Sequence, residues 1–277
     1  MTGLSAQAIE QAIHWACVTE LQAFKPGNVS IHSAGHGMTT ADFIRSADCI
    51  APILATPQLS VGERILKSII ATRETVGCNT NLGIVLLCAP LAKATEQGEV
   101  LNTLPLVLQQ LTQADACLTY EAIRTANPAG LGKVDTQDVQ NAPTQSLLEI
   151  MQLAQQQDRI AYQYANNYID IINFLPKLID LLIAGHHITM VTVLTYLHFL
   201  SDFLDTHIVR KWGRTTAEQV QAQARFWIKK EAFPSELSLL TFDNWLKTRG
   251  INPGTSADLT VASLLMAQLT HPMLFKA

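Results

Sequence analysis

Thr72-Arg73-Glu74-Thr75-Val76-Gly77-Cys78-Asn79-Thr80-Asn81-Leu82-Gly83, followed by the apolar run Ile84-Val85-Leu86-Leu87 and on to Leu91, is the stretch whose reading decides the fold. A helix ends near Val76, because Gly77 accepts a left-handed C-terminal position without strain. Asn79, Thr80 and Asn81 then supply amides, a hydroxyl and N-cap candidates for a second, buried helix. A polar loop between two apolar helices is costly unless its polar groups find partners. Two readings follow. The loop satisfies itself, or its amides form a nest at a helix N-terminus suited to a phosphate. Taken alone, the self-satisfied turn is the better reading.

Outward from this stretch, helical periodicity dominates and no alternating strand is found. The fold class expected is all-α: a single multi-helix globular bundle over residues 1–277 with a central buried helix. Before the loop, helices are predicted from Ser5 to about Ala23, from Thr40 to about Pro57 and over Val61–Val76. After it come short helices near Leu104–Leu111 and Ala114–Ala126. Helices are then expected at Thr144–Gln157, Ile160–Ala184 (kinked at Pro176), Ile188–Lys211, Thr216–Glu231, Glu236–Arg249 and Ser256–Leu269. The apolar part of Ile188–Lys211, Ile188 to Leu200, is read as the central buried helix. The polar segment Lys133–Pro143 is a long loop rather than a flexible linker.

Composition narrows the function classes. Hydrophobic residues make up 48% of the 277 and charged residues 15%, which excludes a disordered chain. A net charge of −4 offers no basic stripe for a nucleic acid. No stretch is apolar enough for a membrane span, and no signal-peptide pattern opens the chain. Five scattered cysteines without a C-x-x-C pair fit a reducing cytoplasm, so a cytoplasmic protein is expected. Cys78 in the polar loop is a nucleophile candidate, but no His adjoins it in sequence.

Several acids stand on apolar lines. Glu20 extends the Ile9, Ile13, Ala16 face of the first helix, which places it paired, at a pocket or, being near the helix end, out in solvent; the pocket is the better reading. His198, Asp202 and Asp205 are spaced i, i+4, i+7 and extend the buried line of Val191 and Leu194. Two carboxylates so close repel when ionised. Mg²⁺ would relieve this; so would ion pairs with Arg210, Lys211 or Arg214. In Asn252-Pro253-Gly254-Thr255-Ser256-Ala257-Asp258-Leu259, Thr255 or Ser256 is the expected cap of the last helix. Asp258 shares a line with Ala262, Leu265 and Leu269 and so points inward. His36, between Gly35 and Gly37, reads as a surface or site residue. No Walker A, G-x-G-x-x-G, H-E-x-x-H or G-x-S-x-G pattern is present.

Together these patches resemble the triphosphoribosyl-dephospho-CoA synthase (CitG-like) family. The resemblance is carried by Glu20 with Lys25-Pro26-Gly27-Asn28-Val29, His36 with Met38 and Phe43, Thr72 with Gly77–Gly83, Asp202, Asp205-Thr206, Arg210-Lys211-Trp212-Gly213 and Asn252–Leu259, in the family's order. It implies an all-helical transferase with ATP as a substrate: the 2′-hydroxyl of dephospho-CoA attacks the ribose C1, adenine leaves, and a triphosphoribosyl group is attached. It also implies roles. Glu20, Asp258 and His36 would be catalytic, with Glu20 or Asp258 as base or oxocarbenium stabiliser. Asp202 and Asp205 would hold Mg²⁺, and Lys25, Arg210 and Lys211 would add charge at the triphosphate. Asn28, Thr72, Asn79, Thr80 and Asn81 would orient ribose or phosphate. Citrate-lyase-linked members read Asn-Thr-His-Lys-Gly where this chain has Asn79-Thr80-Asn81-Leu82-Gly83. The acceptor is therefore dephospho-CoA or another alcohol. Alternatives are a related transferase in another cofactor's biosynthesis, such as that of pterin-linked one-carbon metabolism, and a non-catalytic nucleotide-binding helical protein.

Overall fold

The protein is seen here in a computed structural model, which describes residues 3–33, 37–128, 139–230 and 233–275. Among these residues the chain forms fourteen α-helices and no strand. They are α1 (Ala6–Gln22), α2 (Thr40–Leu54), α3 (Val61–Val76), α4 (Leu82–Gln97), α5 (Val100–Gln109), α6 (Gln113–Ala126) and α7 (Leu147–Ala154). Then follow α8 (Arg159–Ala165), α9 (Ile169–Ile183), α10 (Ile188–Asp202), α11 (Thr206–Trp212), α12 (Arg214–Lys230), α13 (Glu236–Lys247) and α14 (Gly254–Thr270). The all-α expectation holds.

Helix starts follow local chemistry. Ser5, Thr39, Ser60, Thr112 and Ser146 each accept a backbone N–H of the first turn. Asp42, Glu63, Asp115 and Glu149 return the bond in four capping boxes. Gly77 ends α3 with φ +73°, as its sequence position predicts.

Two apolar clusters result. The larger joins α1 to α9 with α14 and one face of α10 (Val191, Phe199); the smaller joins the other face of α10 to α11, α12 and α13 with Ala23, Ile251 and Ala257. The helices with the most buried residues are α4 and α14, and the Ile188–Leu200 stretch of α10, read as a buried central helix, has no exposed residue. Helix α14 tolerates burial of Thr260 and Ser263 because each hydroxyl donates to the carbonyl four residues back.

Three expectations need correction. Ile160–Ala184 is not one helix kinked at Pro176. It breaks at Asn166–Tyr168, where Asn167 and Tyr168 take left-handed backbone angles, and Pro176 lies inside α9. Both flanking tyrosines are seated on α4. Pro90 has no N–H for the Leu86 carbonyl, and the Tyr164 hydroxyl supplies the missing donor at 2.6 Å. Tyr168 donates to Leu87 O at 2.9 Å. Likewise Ile188–Lys211 is two helices, because Phe203 is extended and Asp205 starts α11. The last helix begins at Gly254, and neither Thr255 nor Ser256 is its N-cap.

Candidate active site

A cavity of about 770 Å³ takes walls from both clusters. Its polar wall begins at the end of α1. Glu20 is buried and faces the cavity. Behind it lies Lys25, also buried. Its ammonium donates to the carbonyls of Glu20 (2.8 Å), Ala23 (3.2 Å) and Val29 (3.0 Å) and stands 3.3 Å from Glu20 Oε1. Three donors are thus spent on the turn itself. Burial pushes the Glu20 carboxyl up and Lys25 pulls it down; burial likewise lowers Lys25, with Glu20 opposing. Gly27 keeps this turn tight with φ +80°, and a Cβ there would meet Leu246 at 2.8 Å. Asn28, on the cavity wall, donates to Asn252 Oδ1 at 2.9 Å and so ties the first motif to the last.

The loop of residues 77–81 forms the adjoining wall. Asn79 accepts from the N–H of Leu82, the first residue of α4, at 3.1 Å. Thr80 shares a 2.6 Å hydrogen bond with Ser46, and Asn81 donates to Thr72 Oγ1 at 3.0 Å. Asn79, Thr80 and Asn81 all line the cavity, whereas Thr72 supports Asn81 from behind. Burial and the nearby Asp42 raise the Cys78 thiol, which keeps it protonated and a poor nucleophile.

Asp258 lies in the first turns of α14. It faces the cavity, in keeping with the inward line read from the sequence. A Cβ on Gly83 would fall 2.0 Å from Asp258 Oδ2 and 2.9 Å from the Ile160 Cδ1, so only glycine lets the carboxyl reach this position over α4. Burial holds the Asp258 carboxyl far above the usual range, and the charges of Asp205 and Glu20 push the same way.

Asp205 does something else. Its Oδ1 accepts from Ile208 N (3.1 Å), and its Oδ2 from the N (2.8 Å) and Oγ (2.9 Å) of Ser256. One carboxylate therefore caps the first turns of two helices, α11 and α14. It is not among the cavity-lining residues, and Asp202 is exposed at the end of α10. The expected shared face of Asp202 and Asp205 is absent because the helix ends between them. No group of three or more His, Cys, Asp or Glu side chains arranged to hold a metal ion occurs among the described residues. Arg210 and Lys211 do line the cavity, Arg210 ion-paired with Asp158 and Lys211 over the Trp212 ring. His36 lies outside the described residues.

Sequence reasoning missed Asp158 and His207, both on the cavity wall. Asp158 caps α8 through Ile160 N (2.8 Å) and Ala161 N (3.1 Å). An acid just before a helix looks ordinary, and its second role shows only in three dimensions. The remaining wall, from α6, α7 and α8, is mostly apolar.

The comparisons agree with this architecture. No curated protein matches the chain. A solved structure of an Archaeoglobus fulgidus protein, provisionally named triphosphoribosyl-dephospho-CoA synthase, superposes with a TM-score of 0.70 at 23% identity, over 83% of this chain and 98% of that one. At that identity the likeness is one of fold. The profile of the CitG family, ATP:dephospho-CoA triphosphoribosyl transferase, matches residues 6–276. The chain thus belongs to the CitG family and is an ATP-dependent triphosphoribosyl transferase.

Proposed function

We propose that this cavity is where an alcohol, dephospho-CoA in the first instance, displaces adenine from ATP, with Asp258 as acid and Glu20 as base. The observation that carries the reading is the unequal setting of the two carboxyls. Burial raises both carboxyls, but only Glu20 has a buried ammonium 3.3 Å away that opposes the rise and favours its ionised form. Asp258 has burial and two acidic neighbours acting against ionisation. Such a split is how paired carboxyls acquire opposite roles.

In the reaction the bond from ribose C1 to the adenine nitrogen breaks and its electron pair leaves with the base. Asp258 gives its proton to a ring nitrogen. The acceptor oxygen bonds to C1 and its proton passes to Glu20. Positive charge on the sugar is greatest between these events, when the ionised carboxyls stabilise it.

Asn28, Asn79, Thr80 and Asn81 orient the ribose and phosphates. Arg210 and Lys211 meet the triphosphate, although Asp158 already offsets the charge of Arg210. The cavity therefore carries too little positive charge for a bare triphosphate. Mg²⁺ enters with the nucleotide, as part of the substrate, held mainly by phosphate and water oxygens. Lys25 positions Glu20 and does not reach the phosphates.

The test is chromatography for free adenine after incubation with Mg²⁺ and ATP, with dephospho-CoA and then other alcohols supplied in turn. Adenine release that requires an acceptor is expected. ATP binding with no adenine released under any acceptor would mean a nucleotide-binding protein without transfer activity.

A further inference from the structure

The cavity has two chemistries. The α1 end, the 77–81 loop, α11 and the start of α14 give it polar and charged groups, while α6, α7 and α8 give Tyr120, Ile123, Leu147, Ile150, Met151 and Ile160, with Thr119 the polar exception. A phosphate placed against this second wall would lose its hydration without recompense. The wall suits an uncharged, flat group with an apolar face and a polar edge.

The seam between the two parts is fixed. The Asp258 carboxyl and the Ile160 δ-methyl both come within 3 Å of the point where a Gly83 Cβ would stand, at 2.0 and 2.9 Å. Helix α8, which carries Ile160, is held on α4 by the Tyr164 hydroxyl. A carboxyl thus stands at the mouth of an apolar chamber. In a nucleoside triphosphate the base is one covalent bond from the sugar carbon, with the phosphates at the sugar's far end.

We propose that the chamber walled by α6, α7 and α8 is the pocket for the purine ring of ATP, the leaving base, and that Asp258 stands where a ring nitrogen meets the polar end. This rests on the reading of the cavity as the transfer site. The seat explains how the base departs without being repelled. It leaves as a neutral molecule, having taken the Asp258 proton, into surroundings that favour neutral molecules.

The test is calorimetry on the full chain with three probes: free adenine, ATP with Mg²⁺, and inorganic tripolyphosphate. The variants are Ile123→Asp and Ile150→Ala. Ile123 is half-buried, so its variant keeps the test available should the Ile150 variant fail to fold. Each substitution is expected to weaken adenine and ATP by at least about tenfold and to leave tripolyphosphate unchanged. Unchanged adenine binding in Ile123→Asp overturns the proposal. So does adenine that competes with dephospho-CoA but not with ATP, which would make the chamber the seat of the acceptor's base. Asp258→Asn separates the two levels. Adenine binding retained with release abolished supports both. Adenine bound in the chamber of a wild-type protein that never releases adenine from ATP overturns the transfer reading alone.

Discussion

Asp205 and Asp258 are two aspartates on neighbouring helix starts, and the molecule treats them oppositely. Asp205 receives three hydrogen bonds and fastens two helices together. Asp258, placed one turn into one of those helices, faces the cavity, and its surroundings raise its carboxyl well above the usual range. A buried carboxylate with a full set of donors is architecture. A carboxyl on a cavity wall without one stores free energy that a ligand can draw on.

The sharpest way to break this contrast is Asp258→Asn. The loss of a transferable proton should lower the rate of adenine release by about a thousandfold, with thermal unfolding unchanged or later. A rate within a few-fold of wild type would remove the acid role. Next is Lys25→Met, which strands Glu20 as a buried acid without its cation. A loss of about 3–5 kcal/mol in denaturant unfolding is expected, and the acidic limb of the pH–rate profile should move to higher pH, because Glu20 then holds its proton longer. Asp205→Ala should cost about 2–4 kcal/mol, since three donors and two helix starts lose their acceptor. The Mg²⁺ dependence of ATP binding should stay as in wild type.

The pH dependence of stability gives a smaller effect with a definite sign. Asp258 binds its proton more tightly folded than unfolded. Between its unfolded value of about 3.9 and its raised folded value, the native state holds more protons, so stability falls as pH rises through that window. Asp258→Asn should show less of this fall, and identical slopes would contradict the raised value. Last, Cys78→Ala should change the rate by no more than about twofold, because a protonated thiol takes no part.

Much of the fold could be read from the residues. The Val76–Gly77 stop, the Val61 start and the inward line of Asp258 with Ala262, Leu265 and Leu269 all depend on local spacing, and local spacing is what a sequence displays. The break after Asp202 could not be read, because Phe203 and Leu204 continue the apolar pattern across it. What ends α10 is the seat of Asp205 on Ser256, a contact between residues distant in the chain. Lys25 misled for a related reason. A lysine beside Pro26-Gly27 resembles a phosphate ligand, and only the fold shows its ammonium turned back on three carbonyls. Asp158 was hidden by its ordinary place as a helix cap.

Pro90 has one more consequence, in the order of assembly. Helix α4 cannot complete its own ladder of hydrogen bonds at Leu86, and a phenol from α8 completes it. While α8 is undocked, α4 has a solvated gap in its middle. The loop that α4 carries and the Asp158–Ile160 wall borne by α8 should then form together rather than in succession. Amide hydrogen exchange would show this as common opening: Tyr164→Phe should speed exchange in the middle of α4 and in α8 alike while leaving α12 at its wild-type rate.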